Sequence, residues 1–471
     1  MESTLSPISN PGRAKQQGIA VFLFALCLIA IVPVMGLAID VAMLYMAQSK
    51  LSAGADAAVL AAARGLSRGS DSTAQQANAV TVATNYVAAA FPIGFLGSSG
   101  LTSATSITLQ ANQRTVTTTA SVTVPLMFMR WVGPSTSIVR ASATATRRDV
   151  NVIMVIDRSG SMSASNSCTP MKAAASAFIG QFAPARDYVG LITFSTDVQI
   201  NNAASQSFST VTTNINSIVC SGSTNTTQGL SMAYRELIRL NQPTALNVIL
   251  LFTDGQPTVT PISSQFKPSG SCPGALRGTW QIGVIGGYTN TNGGPIGFWD
   301  PNATGLDQFY PNSTGCAFVS NIGNIATDVS TVAAADKYGN STNVPSGTLG
   351  SYTVVPASPA INWTNLIGVA TNTSYEAARH IRKGDTVTPV VTTTTGGTAD
   401  HLDGIYIYTI GLGTAAYPAD LGFLKDVAND LTALNHQGSP QNSGLFVDAP
   451  TSADLNPAFQ RVASEVLRLA Q

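Results

Sequence analysis

The N-terminal part of the chain contains one long apolar stretch, Gln16–Ile39, without a charged residue. A helix needs about 20 apolar residues to cross a bilayer, so this stretch predicts a transmembrane helix. Arg13 and Lys15 precede it and Asp40 follows it, and the positive-inside rule therefore places residues 1–15 in the cytoplasm and the remainder outside. A cleaved signal peptide is the alternative, although its apolar core is normally about 7–15 residues long.

Residues 40–148 predict an extended helix followed by a small sheet. Apolar residues recur at helical spacing beyond Asp40, and residues 72–91 predict a second helix. Residues 106–124 alternate between β-branched and polar types on either side of a turn, which predicts a hairpin. A third strand is expected over 135–147. This is a pilin-like α+β plan, and a simple spacer with a small sheet is the alternative.

From residue 149 to 471 the pattern changes to continuous apolar strands that alternate with amphipathic helices. Such strands are buried on both faces, which predicts an α/β fold with a doubly wound parallel sheet. The predicted strands cover residues 151–156, 187–195, 247–255 and 404–413, and the predicted helices cover 171–182, 226–240, 419–430 and 452–470.

Polar side chains follow the predicted strands where ligands bind in such sheets, at the carboxyl ends. Asp157, Ser159 and Ser161 follow the first strand, Thr224 precedes a helix, and Asp254 ends the third strand. Two carboxylates and three hydroxyls are oxygen ligands that suit a hard divalent cation. These five residues are therefore the candidate metal ligands.

Composition limits the classes of function. Hydrophobic residues make up 44% and charged residues 10% of the chain, and the formal net charge is zero. Without a basic cluster, nucleic-acid binding has no electrostatic support. Because no base is placed to activate a serine, and the three histidines share no ligand spacing, we do not expect an enzyme. Four cysteines outside the apolar stretch, none in a C-x-x-C pair, suggest two disulfides in an oxidising compartment, with three pairings open.

Two resemblances extend this interpretation. Residues 15–66, with Asp40, Tyr45, Gln48–Leu51 and Ala55–Ala58, resemble the N-terminus of TadG-like proteins of the Tad (Flp) pilus assembly system. A second resemblance is to the metal-ion-dependent adhesion site (MIDAS) of von Willebrand factor type A domains. It is carried by the D-x-S-x-S sequence from Asp157 to Ser161, by Thr224 and by Asp254.

The second resemblance implies roles for the five candidate ligands. Ser159, Ser161 and Thr224 would ligate the ion, and Asp157 and Asp254 would hold it directly or through water. Mg²⁺ is the expected ion, with Ca²⁺ or Mn²⁺ as alternatives. The open coordination position would take an acidic side chain from a protein partner.

Measured against such domains, residues from about 257 to 370 form an insertion, after which residues 374–384 resemble the next family helix. Its aromatic residues could stack on a surface glycan or form a small core: Trp280, Tyr288, Trp299, Phe309, Tyr310 and Trp363. We favour the pairings Cys168–Cys220, because both loops must meet at the ion, and Cys272–Cys316, because both lie in the insertion.

The expected protein is a single-pass protein of the bacterial inner membrane whose bulk is periplasmic. It would assemble or anchor Tad pili through a metal-dependent contact with a pilin or an envelope protein. An adhesin at the pilus tip is the alternative, and a regulator of a partner complex is a third class that fits the N-terminus less well.

Overall fold

The computed structural model describes residues 13–66, 68–69, 71–131, 133–266, 280–286, 299–300, 308–309, 329–342, 348–349, 352–353, 363–413 and 419–470. The chain divides into two compact units. The first ends at Thr146, and the second runs from Arg147 onward and also includes the short segments Gly69–Ser72 and Gln110–Arg114. Cys272 and Cys316 lie outside the described residues, so the structure does not address their predicted disulfide.

The first unit consists of two helices and a three-stranded sheet. Helix α1 spans Arg13–Gly65 and α2 spans Ser72–Ala90, and the strands β1 (Ser99–Gln110), β2 (Gln113–Pro125) and β3 (Thr136–Arg148) lie in that order. Short 3-10 turns cover Phe95–Gly97 and Met129–Trp131. The core is rich in alanine and valine, which allows the two helices and the sheet to approach closely.

Helix α1 has two different halves. Among the described residues it is the helix that is long and apolar enough to cross a membrane, judged by its length and composition. Its large apolar side chains from Val21 to Val41 are exposed, whereas Ala47, Leu51 and Ala55 are buried in the first unit. Among the described residues, most of the large apolar side chains in the N-terminal half are therefore exposed.

The second unit is built on a six-stranded sheet. Its strands are β4 Val150–Asp157, β5 Tyr188–Phe194, β6 Val198–Ser205, β7 Leu246–Thr253, β17 Tyr406–Leu412 and β18 Phe446–Ala449. They lie in the order β18-β17-β7-β4-β5-β6, all parallel except β6, which joins β5 as an antiparallel edge strand. All residues of β4 and β7 are buried, as expected for central parallel strands.

Helices cover both faces of this sheet, which is the predicted doubly wound arrangement. One core contains residues of α4 (Cys168–Ile179), α5 (Phe208–Ser217) and α9 (Leu455–Leu469). The other contains residues of α6 (Thr226–Leu240), α7 (Trp363–Lys383) and α8 (Leu421–Ala428). The short helix α3 (Gly160–Ala164) follows β4, and a 3-10 turn covers Ser452–Asp454.

The residues after β7 form additional strands of their own. Strands β8 (Val259–Phe266), β9 (Trp280–Gly286) and β12 (Val329–Asp336) make an antiparallel sheet in the order β12-β8-β9. Two-residue strands form the pairs β10 (Trp299–Asp300) with β11 (Gln308–Phe309), β13 (Thr348–Leu349) with β14 (Tyr352–Thr353), and β15 (Val391–Thr392) with β16 (Thr398–Ala399). Helix α7 begins at Trp363, eleven residues before the helix predicted over 374–384.

The C-terminal helix α9 contributes a ring to the centre of its core. The Phe459 ring centroid lies 5.8 Å from that of Phe178 and 5.7 Å from that of Phe252. We expect Phe459→Ala to destabilise the second unit by about 3–5 kcal/mol, because the substitution would leave a cavity between Phe178 and Phe252. A thermal melt of the full chain in detergent measures this, with the exposed neighbour Gln460→Ala as control. Equal melting temperatures for the two variants would contradict the packing described.

Candidate metal centre

The site begins at the end of the central strand β4. The Asp157 side chain is fully buried there. Its Oδ1 accepts the backbone N–H of Ser159 at 2.7 Å, and its Oδ2 accepts the hydroxyl of Thr253 at 2.5 Å. Thr253 ends β7, which pairs directly with β4, so the parallel register brings the two strand ends together. The carboxylate of Asp157 thus fixes both loops to the sheet edge.

The two serines and the second aspartate form a continuous chain of oxygens. The Ser159 and Ser161 hydroxyls are 2.9 Å apart, and the Ser161 hydroxyl donates to Asp254 Oδ1 at 2.7 Å. The Ser159 hydroxyl is 3.5 Å from the same oxygen. Ser161 is half-buried while Asp254 is buried, so the group of oxygens is reachable from solvent on one side.

A third loop brings Thr224 to this edge. The backbone N–H of Gly160 donates to Gly222 at 2.8 Å, and that of Ser221 donates to Arg158 at 2.7 Å. Thr224 follows in this loop, just before the N-cap of α6, and is buried. Four of the five predicted ligands are thus linked by hydrogen bonds, and the fifth lies in a loop that is bonded to the first one.

A disulfide joins the same two loops. Cys168 at the start of α4 is bonded to Cys220, with 6.3 Å between their Cα atoms. This is the pairing that the sequence analysis favoured. Cys27 in α1 is a free, exposed thiol.

The two buried carboxylates at this edge would be stabilised by a cation. Burial raises the pKa of Asp157, and burial together with the Asp157 carboxylate raises the pKa of Asp254. Asp254 Oδ2 is buried and has no hydrogen-bond partner within the described part of the chain. A buried carboxylate oxygen without a donor is costly, and an oxygen-seeking divalent cation would satisfy it.

The donor set also narrows the kind of ion. Where the structure describes the chain, no three His, Cys, Asp or Glu side chains converge. The oxygens linked at this edge are instead those of two carboxylates and of the Ser159 and Ser161 hydroxyls. Hard oxygen donors suit Mg²⁺, Ca²⁺ or Mn²⁺ better than they suit softer transition metals.

Three supporting residues were not identified from the sequence. Thr253 holds Asp157, and its position just before Asp254 in the sequence is the signal that was available. Gly222 has φ +93°, and a Cβ there would lie 2.8 Å from the Thr196 hydroxyl, so the loop requires glycine. Arg158 donates to Asp197 at 2.5 Å and ties the first loop to the β5–β6 turn.

The other residues singled out from the sequence lie elsewhere. His380 contacts Asn340, His401 contacts Asp400, and the ring of His436 lies 3.3 Å from the Asn429 carbonyl, so the histidines do not share a site. The aromatic side chains of the insertion fall outside the described side chains. Their predicted stacking on a glycan therefore stays a prediction.

Comparison with known proteins finds two family models that match separate segments of the chain. Residues 152–256 match the family model of the von Willebrand factor type A domain, and residues 18–65 match the Flp pilus-assembly TadE/G-like model. The mouse (Mus musculus) calcium-activated chloride channel regulator 3A-1 is 31% identical over 120 residues, which cover 24% of this chain and 13% of that relative. The chain thus spans only a small part of that relative's length.

Solved structures of pilus proteins are similar to the chain at low identity. The vWF domain of the type V pili tip protein Mfa5 from Porphyromonas gingivalis is 19% identical, with 69% of this chain and 98% of that chain covered and a TM-score of 0.36. A variant of the PilB minor pilin from Streptococcus sanguinis is 14% identical, with 79% and 80% covered and a TM-score of 0.36.

The raised carboxyl pKa values predict opposite effects of pH with and without metal. Folded, metal-free protein binds protons at Asp157 and Asp254 more tightly than the unfolded chain does, whose carboxyl pKa is near 3.8. Their contribution to stability is therefore present at low pH and is lost as the pH rises through the raised pKa values.

We accordingly expect Mg²⁺ to raise the melting temperature more at about pH 8 than at about pH 5, because protons compete with the cation. At a Mg²⁺ concentration of 100 times Kd the gain is about 2.7 kcal/mol. The matched control is Asp254→Asn, which keeps the volume and removes one charge. An equal response of the control and the unmodified chain to Mg²⁺ would contradict the site.

The disulfide predicts a link between stability and metal affinity. Replacing both Cys168 and Cys220 with Ser should lower the free energy of unfolding by about 2–4 kcal/mol. It should also weaken Mg²⁺ binding roughly tenfold, about 1.4 kcal/mol, because the two loops lose their covalent link. Calorimetric titration measures the affinity, with Cys27→Ser as control. Unchanged affinity would show that the backbone hydrogen bonds alone hold the loops.

Proposed function

We propose that this chain, which joins a TadE/G-like segment to a von Willebrand factor type A domain, is a membrane-anchored component of a Tad-type pilus system. Its task would be metal-dependent binding of a protein partner rather than catalysis. The two family matches support the general assignment to pilus biology. The site geometry supports the metal-dependent step.

The observation that carries the proposal is the unpaired Asp254 Oδ2 beside two hydroxyls and a second buried carboxylate. In the proposal Ser159, Ser161 and Thr224 ligate a divalent cation, and Asp157 and Asp254 hold it directly or through water. A bound cation would supply a positive charge that attracts an acidic side chain. Few protein charges would surround it, so the ion would keep affinity for a further oxygen ligand.

In the proposal the insertion helps to select the partner. The Thr224 backbone N–H donates to the Thr258 hydroxyl at 2.9 Å, and the Thr224 carbonyl accepts from the N–H groups of Thr258 and Val259. Strand β8 therefore begins beside the loop that carries Thr224, a proposed metal ligand. Residues that emerge next to a binding site commonly determine specificity, and a surface glycan is a second candidate ligand here.

The membrane part of the proposal rests on α1. Its N-terminal half would cross the bacterial inner membrane once, with the N-terminus in the cytoplasm and the type A domain in the periplasm. The disulfide between Cys168 and Cys220 agrees with an oxidising compartment. The partner would then be a pilin or another envelope component.

Asp254→Asn tests the function in cells. The substitution should abolish the metal-dependent contact while preserving the fold, because asparagine has the same shape and removes the repulsion from Asp157. If the protein assembles pili, cells should lose most of their pili when these are counted by electron microscopy. If it is an adhesin, pili should persist while surface attachment is lost.

Asp403→Asn is the matched control, because Asp403 is exposed and precedes β17 at the opposite edge of the sheet. Its piliation and attachment should equal those of unmodified cells. Normal piliation and normal attachment in Asp254→Asn cells would contradict a functional role of the site.

A further inference from the structure

An exposed apolar loop of the first unit is fixed to α1 beside its apolar half. The loop connects β2 to β3 and is closed by the Leu126 N–H, which donates to Ser135 at 2.9 Å. Met127 is 57% exposed and Trp131 is 77% exposed, and the Phe128 ring is also exposed. Large apolar side chains that are exposed together in one short loop indicate a surface that binds something outside this unit.

Asp40 determines where this loop lies along α1. Its carboxylate is buried and accepts three consecutive backbone N–H groups: Met127 at 2.8 Å, Phe128 at 3.0 Å and Met129 at 2.6 Å. Charge-assisted hydrogen bonds of this kind are stronger than neutral ones. They satisfy the first charge after the apolar stretch without water, and they hold the loop at the level of Asp40.

Phe128 extends the contact toward the apolar half of α1. A Cβ placed on Gly36 would lie 2.6 Å from the Phe128 ring, so the ring rests directly on the helix backbone. Gly36 precedes Asp40 by one turn, or about 6 Å along the axis. The loop thus continues the exposed apolar surface that includes Val34, Met35 and Ile39.

We propose that the β2–β3 loop is a membrane-interface anchor that inserts Met127, Phe128 and Trp131 into the headgroup region of the bilayer around α1. The partner is a phospholipid surface. Tryptophan prefers this region because its ring is apolar and its N–H is polar. The Arg130 guanidinium lies 5.2 Å from the Trp131 ring centroid and supplies a cation for lipid phosphates. The inference rests on the proposed membrane anchoring of α1.

Quenching of Trp131 emission by brominated lipid tests the proposal. The full chain is reconstituted in phosphatidylcholine–phosphatidylglycerol vesicles with or without bromine on the acyl chains. Subtracting the emission of Trp131→Phe isolates Trp131 from the three other tryptophans. We expect the Trp131 emission to lose most of its intensity in brominated vesicles and to resist acrylamide in the aqueous phase.

A tryptophan elsewhere in the same unit serves as the matched control. Tyr86 is half exposed on α2, which packs antiparallel to α1, because Gly65 meets Ala79 and Gly54 meets Ala90. Tyr86 therefore lies more than about 20 Å along the axis from Asp40. Tyr86→Trp in the Trp131→Phe background should be quenched by acrylamide and unaffected by bromine.

Asp40→Ala is the second variant, because it removes the acceptor for three N–H groups and should reduce the quenching of Trp131 by brominated lipid. Trp131 emission that is quenched by acrylamide but not by brominated lipid would overturn the proposal. Emission that responds to neither quencher would also overturn it, since protein, from the same chain or a second copy, would then cover the loop. A chain that fails to float with the vesicles would refute the proposed anchoring itself, and the loop proposal with it.

Discussion

Two buried carboxylates at the ends of neighbouring parallel strands constrain the rest of the second unit. The register that pairs Ile156 with Phe252 brings Asp157 to the Thr253 hydroxyl and leaves Asp254 beside the two serines. Burial and mutual repulsion make this arrangement unfavourable for two bare anions. The disulfide, the glycine at position 222 and the hydrogen bonds between the loops hold the carboxylates in place despite that repulsion. A positive charge at this edge would relieve the repulsion, which is why we propose that it binds a cation.

The first unit also contains a buried carboxylate, but its oxygens are hydrogen-bonded within the protein. Asp40 is the first charge after the apolar stretch, and its carboxylate is satisfied by three backbone N–H groups from a loop more than 80 residues later in the chain. Asp254 Oδ2 has no hydrogen-bond partner among the described residues, whereas both oxygens of Asp40 accept backbone N–H groups. Asp40 therefore organises the first unit, whereas Asp254 is the carboxylate that is proposed to bind a ligand.

The sequence predicted those parts that follow from local pattern. Strands β4 and β7 are continuous apolar runs, so both the strands and the acidic residues that end them could be recognised. The edge strand β6 and helix α5 were missed because their sequences are largely polar, and β18 was missed because it has only four residues. The contacts of Thr253 and Asp40 could not be predicted, because they depend on strand register and on a loop distant in sequence. The insertion's sheet β12-β8-β9 likewise depends on pairing between segments far apart in the chain.

The proposed divalent cation at the β4–β7 edge can be located directly. Crystals of the full chain grown with Mn²⁺ in place of Mg²⁺ would reveal the ion through anomalous scattering. We expect a single strong peak bounded by the hydroxyls of Ser159, Ser161 and Thr224 and by the carboxylates of Asp157 and Asp254. A map without a peak at this edge, in which Asp254 Oδ2 is instead bonded to a protein donor or to water, would contradict the proposed site.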